Sequence, residues 1–215
     1  MRNRFERQLD ELNEDLIHMG NMIENAIGLA IEALNERDKE KAEEAIAYDN
    51  EIDEVEREIE SLCFKLLLQQ QPVARDLRLI SAALKMITDM ERIGDHASDI
   101  SEVTIHLTKT GFEQNLEHIR KMAIETADMV KKSVAAYVEK DEEKAREVIG
   151  QDDVVDDLFV QVRKDVIRIV KEDADEGEAA TDLLMIAKYF ERIGDHATNI
   201  GEWVIFSITG IHVKS

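Results

Sequence analysis

The sequence predicts an all-α fold: two tandem antiparallel three-helix bundles related by an internal repeat. Three observations carry that expectation. Apolar residues recur three or four positions apart over most of the 215-residue chain, the spacing of one helix face. A single proline interrupts the pattern, and no alternating segment or Asn-Gly or Asp-Gly signal points to strands. The heptapeptide ERIGDHA stands at 91–97 and again at 191–197, and a shared stretch that far apart marks a duplicated unit.

Six helices follow in order, at about 3–36, 38–70, 73–109, 112–138, 141–171 and 177–208. The first is read from Leu9, Leu12, Leu16, Met19, Ile23, Ala26, Ile27, Ala30 and Leu34, which step by three or four. A short charged turn around Arg37 and Asp38 leads into the second, which ends before Pro72. Proline suits the first turn of a helix and breaks an interior, so Pro72 opens the third. That helix carries the stripe Met86, Met90, Ile93, Ala97, Ile100, Thr104 and Leu107, and Gly111 follows it. The fourth helix ends in a second charged turn, Glu139-Lys140-Asp141, which matches the first turn at an offset of 103. The fifth runs to the acidic stretch around Gly177, and the sixth to Gly210. Short connections make neighbouring helices antiparallel, so the units are 1–111 and 112–215, each a three-helix bundle.

Composition bounds the function. Hydrophobic residues make up 44% and charged residues 35%, which suits a packed helical protein. A net charge of −21 repels nucleic acid and anionic membrane surfaces and favours cations or basic partners. No apolar run reaches the ~18–20 residues of a membrane span, and the N-terminus lacks the apolar core of a secretory signal. A cytoplasmic protein without membrane insertion is expected. Cys63, the single cysteine, lies in the apolar run LCFKLLL and reads as a core residue of a protein in a reducing compartment.

On a helix, residues four apart share a face. Glu91, Asp95, Asp99 and Glu102 form such a row, and Glu191, Asp195, Asn199 and Glu202 form its counterpart. At ~100° per residue each row lies well around the helix from the apolar stripe, on an open or groove-like face. Gly94 and Gly194, inside the motif, allow another helix to approach closely. The preceding helix of each unit offers a second pair, Asp49 with Asp53 and Asp152 with Asp156. If adjacent helices bring these faces into register, four or more carboxylates converge. Such groups cannot all stay ionised without a counter-charge. All-oxygen ligation selects hard ions, Mg²⁺, Mn²⁺, Ca²⁺ or iron, over a Cys/His zinc site. The candidate metal ligands are therefore Asp49, Asp53, Glu91, Asp95 and Asp99 in one unit, and Asp152, Asp156, Glu191 and Asp195 in the other. Asn199 is a neutral ligand where the first unit has Asp99, so the sites need not be equivalent.

His96 and His196 stand one residue past the aspartates, ~100° around, and are expected to make inter-helix contacts. Arg92 and Arg192 lie outward or pair with an acid. The chain has no Walker A loop, GxSxG, HExxH or Cys-x-x-Cys, and ERIGDHA holds no Glu-x-x-His. No nucleophile, base and orienting group can be assembled, so no catalytic residue is named and an enzyme is not expected. The alternative is a metal-dependent enzyme of the carboxylate-bridged type. Trp203 and Phe206, in a more apolar C-terminal segment than the first unit's EVTIHLTKTG, serve the core or a homodimer surface.

Two ERIGDHA motifs on the third helices of tandem units, with QQPVARDLR opening the first of those helices, resemble the PhoU family over essentially the whole chain. The resemblance implies a cytoplasmic, often dimeric, all-helical accessory protein of the phosphate-specific transport system. It implies control of phosphate uptake and negative regulation of phosphate-starvation signalling, with coupling of a phosphate ABC transporter to a sensor histidine kinase. It also implies multinuclear metal clusters at Asp49/Asp53 with Glu91/Asp95, and at Asp152/Asp156 with Glu191/Asp195.

Overall fold

The computed structural model describes residues 2–70, 72–110 and 117–213, and the side chains of residues 2, 3, 69 and 70 are not among those described. The helices are α1 (Arg2–Glu36), α2 (Lys39–Gln70), α3 (Ala74–Leu107), α4 (Glu117–Glu139), α5 (Glu142–Glu172) and α6 (Gly177–Thr209), with a 3-10 turn at Ala174–Glu176. No strand occurs among the described residues. The expected start of the fourth helix at 112, the boundary between the units at 111/112 and Gly111 fall outside the described residues. Pro72 does not sit in the first turn of α3: Val73, extended at φ −72° and ψ 164°, is its N-cap.

The two charged turns show the duplication at atomic detail. Arg37 and Lys140 both adopt φ +56°, a left-handed conformation that usually falls to glycine. Behind each, the second amide past the helix reaches back to the last turn, from Asp38 to the Ala33 carbonyl at 3.0 Å and from Asp141 to the Ala136 carbonyl at 2.9 Å. Each aspartate then caps the following helix, accepting from the amides of Glu40 at 2.9 Å and Lys41 at 3.2 Å, and from Lys144 at 3.0 Å. The chain thus reverses within two residues, which sets α1 against α2 and α4 against α5.

The third helices are the centre of the molecule. Each packs on the second helix of its own unit and on its counterpart in the other, and α1 also packs on α4. Asp89 meets His196, while His106, farther along α3, meets Asp182, near the start of α6, so α3 and α6 cross antiparallel. One continuous apolar core results, running through Met19, Ile23, Met86, Met90, Ile93, Phe190, Ile193 and Ile200. The Tyr137 hydroxyl on α4 donates to the Leu79 carbonyl on α3 at 3.2 Å and ties the units together. Cys63 is fully buried, and burial pushes its thiol up to about 12, so it stays protonated as a small core residue.

The apolar surface of α3 is broader than its main stripe. Ile87, Gly94 and Ser101, seven residues apart, are buried as well. The carboxylate row therefore flanks a second packed face, and Glu91, Asp95 and Asp99 are half-buried.

Candidate functional site

The glycines of the repeated motif explain how the second helix reaches the third. A Cβ placed on Gly94 would stand 3.1 Å from Asp49 Oδ1 and 3.1 Å from Ile52 Cδ1. On Gly194 it would stand 3.0 Å from Asp152 Oδ1. In each unit the missing side chain is the space in which an aspartate of the neighbouring helix lies. Asp49 Oδ1 is buried there with no hydrogen-bond partner among the described residues. A buried, unsatisfied carboxylate oxygen is costly unless something else neutralises it.

The charges around these aspartates are mutually repulsive. Burial pushes Asp49 up to about 6, helped by the negative charges of Asp95, Asp53 and Asp99. Asp152 is also raised to about 6, by burial and then by Asp195, Asp156, Glu191 and Asp153. Burial, with Asp95 as the leading neighbour, raises Glu91. Asp156 and Asp195 are raised by burial and by Glu191. The Asp-x-x-x-Asp of the second helix and the Glu-x-x-x-Asp of the third thus face one another in both units. Asp99 joins the first group through its effect on Asp49.

Several of these carboxylates rest on cations of their own helices. Asp53 pairs with Arg57 at 3.0 Å, Asp95 with Arg92 at 2.6 Å, and Glu191 with Lys188 at 2.5 Å. Among the described residues, no three histidine, cysteine, aspartate or glutamate side chains stand together as a set that could hold one ion. Each cluster is a repelling array around a cradled aspartate.

The histidines turn to the α3–α6 crossing. His96 is buried, its ring centroid 5.6 Å from that of His196 and 5.6 Å from that of Tyr189. Its Nδ1 lies 3.1 Å from Asp99 Oδ2, and burial holds its pKa below the usual imidazole value. His196 Nδ1 lies 2.8 Å from Asp89 Oδ1, and the Asn199 amide donates to the same oxygen at 3.1 Å. Asn199 thus meets Asp89 of the first unit through its amide nitrogen. Arg92 pairs with Asp95 and Glu91 as anticipated, and Arg192 is exposed.

Three participants escaped the sequence reading. Glu56 lies on the face of Asp49 and Asp53, seven and three residues on, and is raised by burial, Glu60 and Asp53. Its helical spacing was a usable signal. Lys188 reaches Glu191 and stands 5.6 Å over the Phe159 ring. The first unit has Thr88 and Glu56 at the corresponding positions. Asp89, the partner of His196, stands where the second unit has Tyr189.

The sequence model of the PhoU domain matches this chain twice, over residues 16–104 and 119–204. A phosphate-specific transport system accessory protein PhoU homolog of Clostridium acetobutylicum is 40% identical over 210 residues, covering 97% of this chain and 96% of that protein. Its counterpart in Aquifex aeolicus is 36% identical, covering 86% and 84%. The crystal structure of PhoU from Pseudomonas aeruginosa superposes with a TM-score of 0.92 at 30% identity, covering 96% of this chain and all of that one. The crystal structure of the phosphate transport system regulatory protein PhoU from Streptococcus pneumoniae gives 0.90 at 27% identity, covering 98% and 100%.

Proposed function

Because the chain belongs to the PhoU family, we propose that it is an accessory protein of the phosphate-specific transport system that regulates phosphate uptake and acts through bound metal. In this reading it represses phosphate-starvation signalling as a cytoplasmic homodimer, an adaptor between a phosphate ABC transporter and a sensor histidine kinase. The relatives' names and full-length similarity support the phosphate-transport role. No helix among the described residues is long and apolar enough to cross a membrane, so contact with membrane-bound partners is made through protein surfaces.

The observation that carries the metal reading is the doubled aspartate cradle. Asp49 Oδ1 has no hydrogen-bond partner among the described residues, and in both units a glycine clears the space beside the aspartate. An all-oxygen donor set crowded with negative charge fits Mg²⁺, Mn²⁺, Ca²⁺ or iron. Asp49, Asp53, Glu91, Asp95 and Asp99 would hold ions in the first unit, and Asp152, Asp156, Glu191 and Asp195 in the second. Bound cations would supply the charge that lets these groups ionise together. The protein's own part is to hold α2 against α3, and α5 against α6, at the distance the glycines permit.

Two measurements test this. Elemental analysis of purified protein reconstituted with each ion should find metal in the wild type and less in Asp49→Ala and Asp152→Ala. Equal metal content in all three would remove the site assignment. Deleting the gene should raise phosphate-starvation gene expression at high phosphate, and unchanged expression and uptake would remove the regulatory role.

A further inference from the structure

The exposed face of α5 carries its charges in an order that does not pair within the helix. At about 100° per residue, Asp157, Val160, Lys164 and Ile167 lie within an arc of about 80°, with Asp156 and Arg163 beside them, and all six are exposed. Asp157 and Lys164 are seven residues apart, and so are Asp156 and Arg163, with Val160 inside both intervals. Seven residues are two turns, about 10.5 Å, too far for an ion pair along one helix. Accordingly, none of Asp156, Asp157, Arg163 and Lys164 forms an ion pair among the described residues. Farther out the order is the same, with Asp153 before Val160 and Arg168 and Lys171 after it. Apolar groups fill the middle and the basic half: Val160 is 41% exposed, Ile167 51% and Val170 41%. Asp165 is turned away from this face to His118 of α4.

The first unit lacks this order. At the offset of 103 its matching residues are Asp53, Glu54, Arg57, Glu60 and Ser61, with acid on both sides of an arginine. There Arg57 meets Asp53 at 3.0 Å. In the second unit Val160 stands in the place of that arginine, and Asp156 is left without it.

We infer that α5 is the face on which two copies of the chain pair, antiparallel about a two-fold axis beside Val160. A two-fold operation reverses the helix and keeps each residue on its own side of the contact, so positions symmetric about Val160 meet. Asp157 then meets Lys164 of the second copy, Asp156 meets Arg163 of the second copy, and each contact occurs twice. Val160 meets its own counterpart. Charges beside an apolar seam set the direction and partner of paired helices in this way. Charge also selects the occupant. Acids and bases are segregated along a face of about 27 Å from Asp153 to Lys171, so a partner of one sign fits half of it and a second copy fits both halves. The face is free to be covered, because α5 packs only on α4, α6 and the 3-10 turn among the described residues. Beyond it, the acidic connection after Glu172 meets the start of α5 in the second copy, where Lys144 and Arg146 offset Glu142 and Glu143. The pairing rests on the homodimer of the proposed function and names its interface, and it needs no bound metal.

Sedimentation of the full chain tests it. The wild type should dimerise, and Asp157→Lys and Lys164→Asp should each weaken the dimer about ten-fold, since each turns two attractions into two repulsions. Mixed in equal parts, the two variants should recover the wild-type affinity, because each changed residue then meets an opposite charge. Val160→Cys should form a disulfide-linked dimer on mild oxidation, and Val73→Cys, exposed at the start of α3, should not; Cys63 is buried and takes no part. The changed side chains are exposed, so circular dichroism should match the wild type. A wild type that is monomeric at every concentration removes the homodimer and this interface together. A dimer that neither reversal weakens and that Val160→Cys does not cross-link keeps the homodimer and overturns the interface. Reversals that weaken the dimer without recovery on mixing overturn the two-fold pairing.

Discussion

The two acidic clusters share a backbone and differ in their ions. In both, an aspartate of the second helix lies against a motif glycine of the third, and in both burial raises that aspartate to about 6. Around it the first unit sets Glu56, Thr88 and Asp99, where the second sets Phe159, Lys188 and Asn199. Lys188 lies within hydrogen-bond distance of both oxygens of Glu191, and Asn199 bonds across to Asp89. After duplication, the close approach of the helices was kept and the charge beside it drifted. The first cluster leans on two arginines, Arg57 at Asp53 and Arg92 at Asp95, and the second on one lysine, Lys188 at Glu191.

The largest effect should come from removing one cradle at a time. Asp49→Ala should weaken metal binding at the first site more than about 100-fold and leave the second intact, and Asp152→Ala the reverse. Titration with Mn²⁺ followed by paramagnetic relaxation reads both sites. Simultaneous loss of both in either variant would show that the clusters act as one.

Next in size is the exchange of surroundings. Lys188→Thr should raise affinity at the second site about ten-fold, by releasing Glu191 and removing a competing cation, and Thr88→Lys should lower the first by a similar factor. Calorimetric titration checks both, and an unchanged Lys188→Thr isotherm would mean that the lysine already moves aside at no cost.

A smaller effect follows from protons. Asp49 and Asp152 ionise near 6 in the folded chain and near 4 when unfolded. Between those values the native state holds more protons, so its stability falls as pH rises through the window. In metal-free protein, the contribution of these groups should raise the melting temperature on going from pH 7 to pH 5. Asp49→Asn with Asp152→Asn should flatten that slope and melt higher at pH 7. Wild-type and variant slopes that coincide would show that these carboxylates do not govern it.

The smallest prediction concerns the turns. Arg37→Gly and Lys140→Gly relieve a left-handed conformation and should each stabilise by about 0.5–1 kcal/mol, or about 1–4 °C in a chain of this size. The two increments should be equal, because the turns share φ and capping bonds. A difference beyond error would mean that the units unfold separately.

How much was legible depended on distance along the chain. The stripe from Leu9 to Leu34 gave α1 to within a residue or two of its ends, because helical periodicity is local. The pairing of Asp49/Asp53 with Glu91/Asp95 was legible through the repeat, since both pairs recur in the second unit. The position of the acidic row was read only as far as one helix allows. One apolar stripe on α3 left it on an open or groove-like face, and the packing of Ile87, Gly94 and Ser101 makes that face the α2–α3 groove. The Lys188–Glu191 pair is three residues apart on one helix and was a usable local signal, whereas the place of Lys188 over Phe159 of α5 depends on how two helices pack.

The sequence by itself determined the helices, the duplication, the acid-rich chemistry and the family. Each of these is written in residue types and in spacings of three, four or about a hundred positions. Only the tertiary structure decided that Gly94 closes over Asp49, and that Asn199 and His196 both meet Asp89. Those facts depend on the register and direction of helices that meet far apart in the chain. Packing of the whole core sets that register, and no local pattern encodes it.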